Sequence, residues 1–249
     1  MLFLLRQIRR KLMNENKIGT YLLYALGEII LVVIGILIAV QIDDWSKEQD
    51  RKNQEFESYQ LIITDLRKDS ASFSRAFSGY TEYLNLYFEA NRIHSGKEPT
   101  KPDLFFDYLV MNINFNSVTQ ENHSNTIERM IDQEVRQQLN NYFGGLTAIH
   151  TTTEEFNQYI QNESRPFFLR KHNVFKNEAV FNEENRTFPP MLRVSTFDTE
   201  KLEVIMKDEE FLPILSGLRM SIGAHLAFLE RAIQQNHILI QTLEQKLKQ

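Results

Sequence analysis

From Tyr21 to Ile42 the chain reads YLLYALGEIILVVIGILIAVQI, with ten aliphatic residues between Ile29 and Val40. As an α-helix this segment spans roughly 33 Å, close to the ~30 Å hydrocarbon core of a bilayer. Each central aliphatic contributes about −0.3 to −0.6 kcal/mol to insertion, while the single charge, Glu28, opposes it by about 2–3 kcal/mol. The balance favours hydrocarbon as the solvent. Ile29–Val40 is also apolar on every face, unlike the amphipathic helix of a soluble domain. A cleaved signal peptide has a shorter apolar core, about 7–15 residues, followed by small residues at the cleavage site. Here the run ends in Val40-Gln41-Ile42-Asp43, without that pattern. The sequence therefore predicts an uncleaved transmembrane helix over 21–42, with Tyr21 and Tyr24 at one interface and Trp45 at the other.

Charge sets the expected sidedness. Residues 1–20 carry Arg6, Arg9, Arg10, Lys11 and Lys17 against Glu15, a net of +4. Residues 43–249 carry 23 basic and 31 acidic side chains, a net of −8. Basic residues immediately before the span predict a cytoplasmic N-terminal segment (1–20) and an extracytoplasmic body (43–249). The opening MLFLLRQIRRKL reads either as a short interfacial helix on anionic lipid or as a basic tail. An acidic body argues against a nucleic-acid partner, which needs clustered Lys and Arg. With no Cys, a disulfide scaffold and thiolate chemistry are excluded.

Within the span, Glu28, Gly35, Ala39 and Ile42 share one helical face. Gly35 and Ala39 form a small-xxx-small pair that lets two helix backbones approach closely. A carboxyl at that depth is costly and points to a role. Two readings stay open. Either Glu28 bonds its twin or a partner membrane protein in helix association, or it reaches back to the cytoplasmic headgroups.

The string KIGTYLLYALGEIILVVIGILIAVQIDDWSKE, Lys17 to Glu48, resembles the opening of a large bacterial family of uncharacterised single-pass membrane proteins. The shared positions include Tyr21, Tyr24, Gly27, Glu28, Gly35, Gln41 and Trp45. The likeness covers about the first fifth of the chain, and beyond it only the helix pattern is loosely similar. It implies no activity. It implies an uncleaved anchor in the inner membrane of a bacterium with two membranes, and hence a periplasmic body.

The body is read by periodicity. Apolar residues recur at 3–4 spacing through Phe56, Tyr59, Ile63, Leu66, Phe73, Phe77, Tyr80, Leu84 and Tyr87, broken only at Ser70. No Pro interrupts Asp43–Arg92, so one helix is expected from the membrane to about His94, with Gly96 as its C-terminal cap. A second stripe runs through Val135, Leu139, Tyr142, Leu146, Ile149, Thr153, Phe156 and Ile160. Asp132 is its expected N-cap, Gly144-Gly145 a weak middle, and helix past Ser164 is disfavoured by Pro166. A third runs from Leu215 to Leu247, capped by Asp208 and interrupted at Asn236. Shorter helices are expected over 102–112 and 118–130, and a loop with a short strand over 171–197. Three long stripes must cover one another. The expected fold is all-α: a transmembrane helix continuing into an antiparallel bundle of three long helices plus shorter ones.

Motifs for chemistry are absent from the sequence. None of the six His residues follows a Glu by three positions, as di-iron bundles require, and there is no H-E-x-x-H, Walker or G-x-S-x-G pattern. No cofactor and no catalytic activity are expected, and His225 and His237 read as partly exposed polar positions. An enzyme reading would start from loop residues such as His172, Glu183, Glu184 and Arg186. The chain is expected to be a membrane-tethered interaction or scaffold protein of the cell envelope. The alternative is an extracytoplasmic ligand-sensing bundle acting through a partner membrane protein.

Overall fold

The structure, a computed structural model, describes residues 18–101, 104–176 and 197–248. The basic N-terminal segment, Pro102, Glu183, Glu184, Arg186 and Pro189-Pro190 lie outside the described residues. The chain divides into two units, Met1–Glu57 and Ser58–Gln249. The fold is all-α. Among the described residues the one β feature is an isolated antiparallel bridge between Phe175 and Phe197.

Helix α1 runs Ile18–His94. It ends where the sequence places the end, and for a backbone reason. Gly96 has φ +74°, the left-handed conformation that costs an L side chain most. That conformation lets the Gly96 N–H donate to Ile93 O at 2.9 Å and the Lys97 N–H donate to Arg92 O at 3.0 Å. This is the paired closure of a Schellman cap.

Two expected helices in the following segment are much shorter. Of the helix expected over 102–112, the described residues 104–112 form a single 3₁₀ turn, Phe106–Leu109. In place of one over 118–130 there are α2, Val118–His123, and a second 3₁₀ turn, Ile127–Arg129. The reason is tertiary. Side chains of the long helices satisfy the backbone of 108–114, so that segment has no need of helical bonds. The Tyr87 hydroxyl donates to Tyr108 O at 3.1 Å, and Arg165 Nε donates to Val110 O at 2.9 Å. Ser164 donates to Leu109 O, and Tyr80 both accepts from and donates to the Asn114 backbone.

Helix α3, Gln133–Tyr159, begins at Asp132, whose Oδ1 accepts from the N–H groups of Glu134 (2.9 Å) and Val135 (3.1 Å). Every position of the second stripe, Val135 to Ile160, is buried. The helix passes unbroken through Gly144-Gly145. Pro166 does not stop the chain from coiling, which corrects the expectation. Two π-helical turns follow, Ile160–Ser164 and Pro166–Lys171. Wider turns bond each N–H to a carbonyl five residues back and relieve the clash a proline ring makes in an α-helix. His172 N–H closes the last of them onto Phe167 O at 3.2 Å.

After α4, Thr199–Ile205, the chain enters α5, Phe211–Lys246. Asp208 does not cap α5 as expected: the N-cap is Glu210, which has no side-chain cap bond, and Asp208 accepts from the Glu210 N–H at 3.0 Å in the turn just before it. Helix α5 is antiparallel to both other long helices. Its Asn236, His225 and Gly217 meet α3 at Tyr142, Thr152 and Tyr159 in turn. Its Asn236 and His225 meet α1 at Leu66 and Tyr80. Helices α1 and α3 are therefore parallel, with 95–132 as the crossover between them. The apolar core forms two clusters. One is built around Tyr87, Phe156, Phe168, Phe211 and Leu218, the other around Tyr59, Leu66, Leu139, Leu146 and Leu243.

Candidate functional site

The first unit contains the feature that burial within the chain does not explain. Fourteen large apolar side chains between Leu22 and Ile42 are exposed, Leu31 to 73% and Ile42 to 61%. A monomer in water rarely shows a contiguous apolar surface above a few hundred Å². The segment is long and apolar enough to cross a membrane, and none of its apolar window is buried. Helix α5 meets the same length and composition test, but much of its apolar window is packed inside the bundle. Burial already accounts for that helix.

Glu28, Gly35 and Ala39 are all exposed on this segment. Their spacing puts Gly35 about 10.5 Å along the axis from Glu28, and Ala39 about 6 Å further. A Cβ placed on Gly35 would meet nothing within 4 Å. Among the described residues none approaches Gly35 that closely. Trp45, one turn past Ile42, is 70% exposed.

The second unit holds a set of buried polar side chains that sequence reasoning missed. Asp69 is buried, and its carboxylate accepts from Ser117 Oγ at 2.5 Å and from the N–H groups of Val118 (2.8 Å) and Thr119 (3.2 Å). It thereby caps α2 from a different helix. One turn earlier, Asp65 accepts from Asn122 Nδ2 at 2.8 Å, lies 3.0 Å from His123 Nε2 and pairs with Lys68 at 2.7 Å. Burial raises the Asp65 pKa, but the Asn122, Lys68 and His123 bonds together outweigh it and hold the carboxyl below the ordinary range. Two carboxylates of α1 thus hold both ends of α2. The signal was present: Asp69 lies three residues after Leu66 and four before Phe73, in phase with the apolar stripe.

Asn236, which interrupts the third stripe, is likewise buried and donates to Leu66 O (2.9 Å) and the Tyr142 hydroxyl (3.0 Å). The expectation for His225 is corrected, because it is wholly buried between α1 and α3. His237 is exposed and lies 3.0 Å from Gln241 Nε2.

Of the set proposed for an enzyme, only His172 is described. Its Nε2 lies 3.0 Å from Asp208, which also pairs with Lys171 at 2.8 Å. Lys171, and next the Glu210 N–H, lower the Asp208 carboxyl to about 2. This cluster joins the last π turn to the start of α5. A cleft of about 510 Å³ lies elsewhere, lined by Ile93, Pro99, Leu104, Phe106, Leu202 and Met206 with Lys97, Glu98 and Glu203. It does not include His172. Among the described residues no group of three or more His, Asp or Glu is arranged to hold a metal ion.

Comparison with protein-family models, with curated proteins and with solved structures returned no match, so this chain is interpreted from its own residues.

Proposed function

We propose that the chain is a single-pass membrane-anchored helical protein of a bacterial envelope, acting by interaction rather than by chemistry. One observation carries this reading: the uncovered apolar surface from Leu22 to Ile42. The basic residues before it favour a cytoplasmic N-terminus and a periplasmic bundle. Inner-membrane placement follows from the resemblance of Lys17–Glu48.

On this reading the bilayer is the first partner, and the Glu28, Gly35, Ala39 face is the contact for a second membrane helix, in another copy or in a partner protein. The bundle presents helical surface to envelope components. Its buried polar bonds between α1, α2, α3 and α5 favour a rigid body. The sensing alternative draws support from the cleft near Leu104 and Met206, whose mixed lining suits a small amphiphile.

Reporters fused at Asn16 and Gln249 test the topology. The expected result is a cytoplasmic signal at Asn16 and a periplasmic one at Gln249, and the reverse pattern overturns it. Crosslinking in intact cells tests the interaction. The expected product is a defined adduct that Glu28→Leu with Gly35→Leu weakens. An adduct unchanged by both substitutions removes the membrane-helix contact from the account.

A further inference from the structure

The two apolar clusters of the bundle meet at one polar layer. Leu226 and Ile222 belong to one cluster, and Leu229 to the other. His225 stands one residue before Leu226; on α3 its partners Thr152 and Thr153 fall between Ile149 of one cluster and Phe156 of the other, and its ring is completely buried. Its Nδ1 lies 3.2 Å from Thr152 Oγ1 and 3.4 Å from Thr153 Oγ1.

Those two hydroxyls fix the tautomer. Each donates its own proton to Ile149 O, at 2.9 Å in both cases, so toward His225 each can only accept. Nδ1 therefore carries the hydrogen and Nε2 carries the lone pair. Nε2 is buried and, among the described residues, has no hydrogen-bond partner. A proton arriving there would make a buried cation whose new N–H has no acceptor, which is among the costliest arrangements in a core.

The surroundings offer no compensation. From α1 the facing titratable group is Tyr80, its ring edge-on to the imidazole with centroids 5.3 Å apart. The Tyr80 hydroxyl is committed to the Asn114 backbone. Helix α3 contributes the two threonines, which do not titrate. On α5 itself the charged residues nearest in sequence, Arg219, Glu230 and Arg231, are exposed. Among the described residues no ion pair reaches His225, and desolvation alone lowers its pKa from 6.5 to about 4.

We infer that the His225 layer is an acid-responsive seam: protonation at Nε2 releases α5 from α1 and α3 and opens the bundle between its two cores. The sign follows from linkage. The neutral form is favoured in the folded state, so the seam is closed above about pH 6.5 and loosens as pH falls toward 4. Full protonation would favour the open seam by about 300-fold.

The test is backbone hydrogen exchange of the full chain in lipid nanodiscs, at pH 7 and pH 5, corrected for intrinsic rates. Peptides spanning Leu218–Ile233 are expected to open roughly 20-fold more at pH 5. In His225→Gln, which keeps a polar side chain but does not titrate, the rise is expected to fall below about threefold. A flat wild-type profile overturns the inference, as does an equal rise in the variant. Should His225→Gln not fold, the ring resonances of wild-type His225 decide. Titration below about pH 5 supports the seam, and titration near the ordinary histidine value contradicts it.

Discussion

The side-chain amide of Asn157 brackets the backbone of Ile113, accepting from its N–H and donating to its carbonyl oxygen, both at 2.9 Å. An α-helical residue thus treats the extended crossover as a neighbouring strand would. Asn157→Leu leaves both Ile113 groups without partners, and a buried unsatisfied group costs about 1–3 kcal/mol. The expected loss is about 2–4 kcal/mol in urea denaturation of the full chain in detergent. Asn157→Asp keeps the acceptor and loses the donor, so its loss should be smaller.

Asp69 and Ser117 should behave as one unit. Asp69→Ala takes the acceptor from the Ser117 hydroxyl and from the Val118 and Thr119 N–H groups, while Ser117 Oγ still accepts from the Gln120 N–H, at an expected cost of about 3–5 kcal/mol. Ser117→Ala should cost about 1–2 kcal/mol alone and less in the Asp69→Ala background, where only its cap bond to the Gln120 N–H is left to lose. Additive losses in that double-mutant cycle would show that the two residues act independently.

Gly217 and Tyr159 share a close approach between α5 and α3. A Cβ at Gly217 would fall 2.2 Å from the Tyr159 Cζ and hydroxyl oxygen. Alone, Gly217→Ala must displace that ring, and its expected effect is a loss of about 1–2 kcal/mol. Beside Tyr159→Ala the clash is gone, and the gain in helix propensity of about 1 kcal/mol should appear instead. The reversal of sign, read from paired denaturation curves, is the check.

At the junction of the last π turn with α5, the Asp208 carboxyl is held at about 2, chiefly by Lys171. A depressed carboxylate contributes stability that is present above its unfolded value of 3.8 and is lost as pH falls through about 2. Carbon NMR of the side chain should give a midpoint near 2, moving up toward the ordinary range in Lys171→Met. A midpoint that ignores Lys171→Met would mean that the 2.8 Å pair has no electrostatic effect.

What the sequence makes legible here is local. The 3–4 spacing places Val135 through Ile160 on one face, and every one of those residues is buried. Asp132 and Gly96 are chemically suited to start and stop helices, and they do. What was not legible depends on partners far along the chain. Residues 104–112 lack the expected helix because Tyr87, Ser164 and Arg165 take the carbonyl groups of Tyr108, Leu109 and Val110. His225 lies three residues after Ile222 and four before Leu229, in phase with the stripe, but that Tyr80, Thr152 and Thr153 close around it depends on residues far along the chain. Pro166 disfavours helix past Ser164 by α-helical rules, whereas the chain widens to π turns there. For the proposed membrane face, the sequence shows which residues align, and the structure adds that Glu28, Gly35 and Ala39 are exposed.

Alkaline carbonate extraction of washed membranes tests most directly whether the Leu22–Ile42 surface lies in lipid. An inserted helix stays with the membrane pellet, because carbonate removes peripheral contacts and leaves ~20 buried apolar residues in place. The full-length chain is expected in the pellet. Recovery of that full-length chain in the supernatant would mean that protein or water, not hydrocarbon, surrounds the segment.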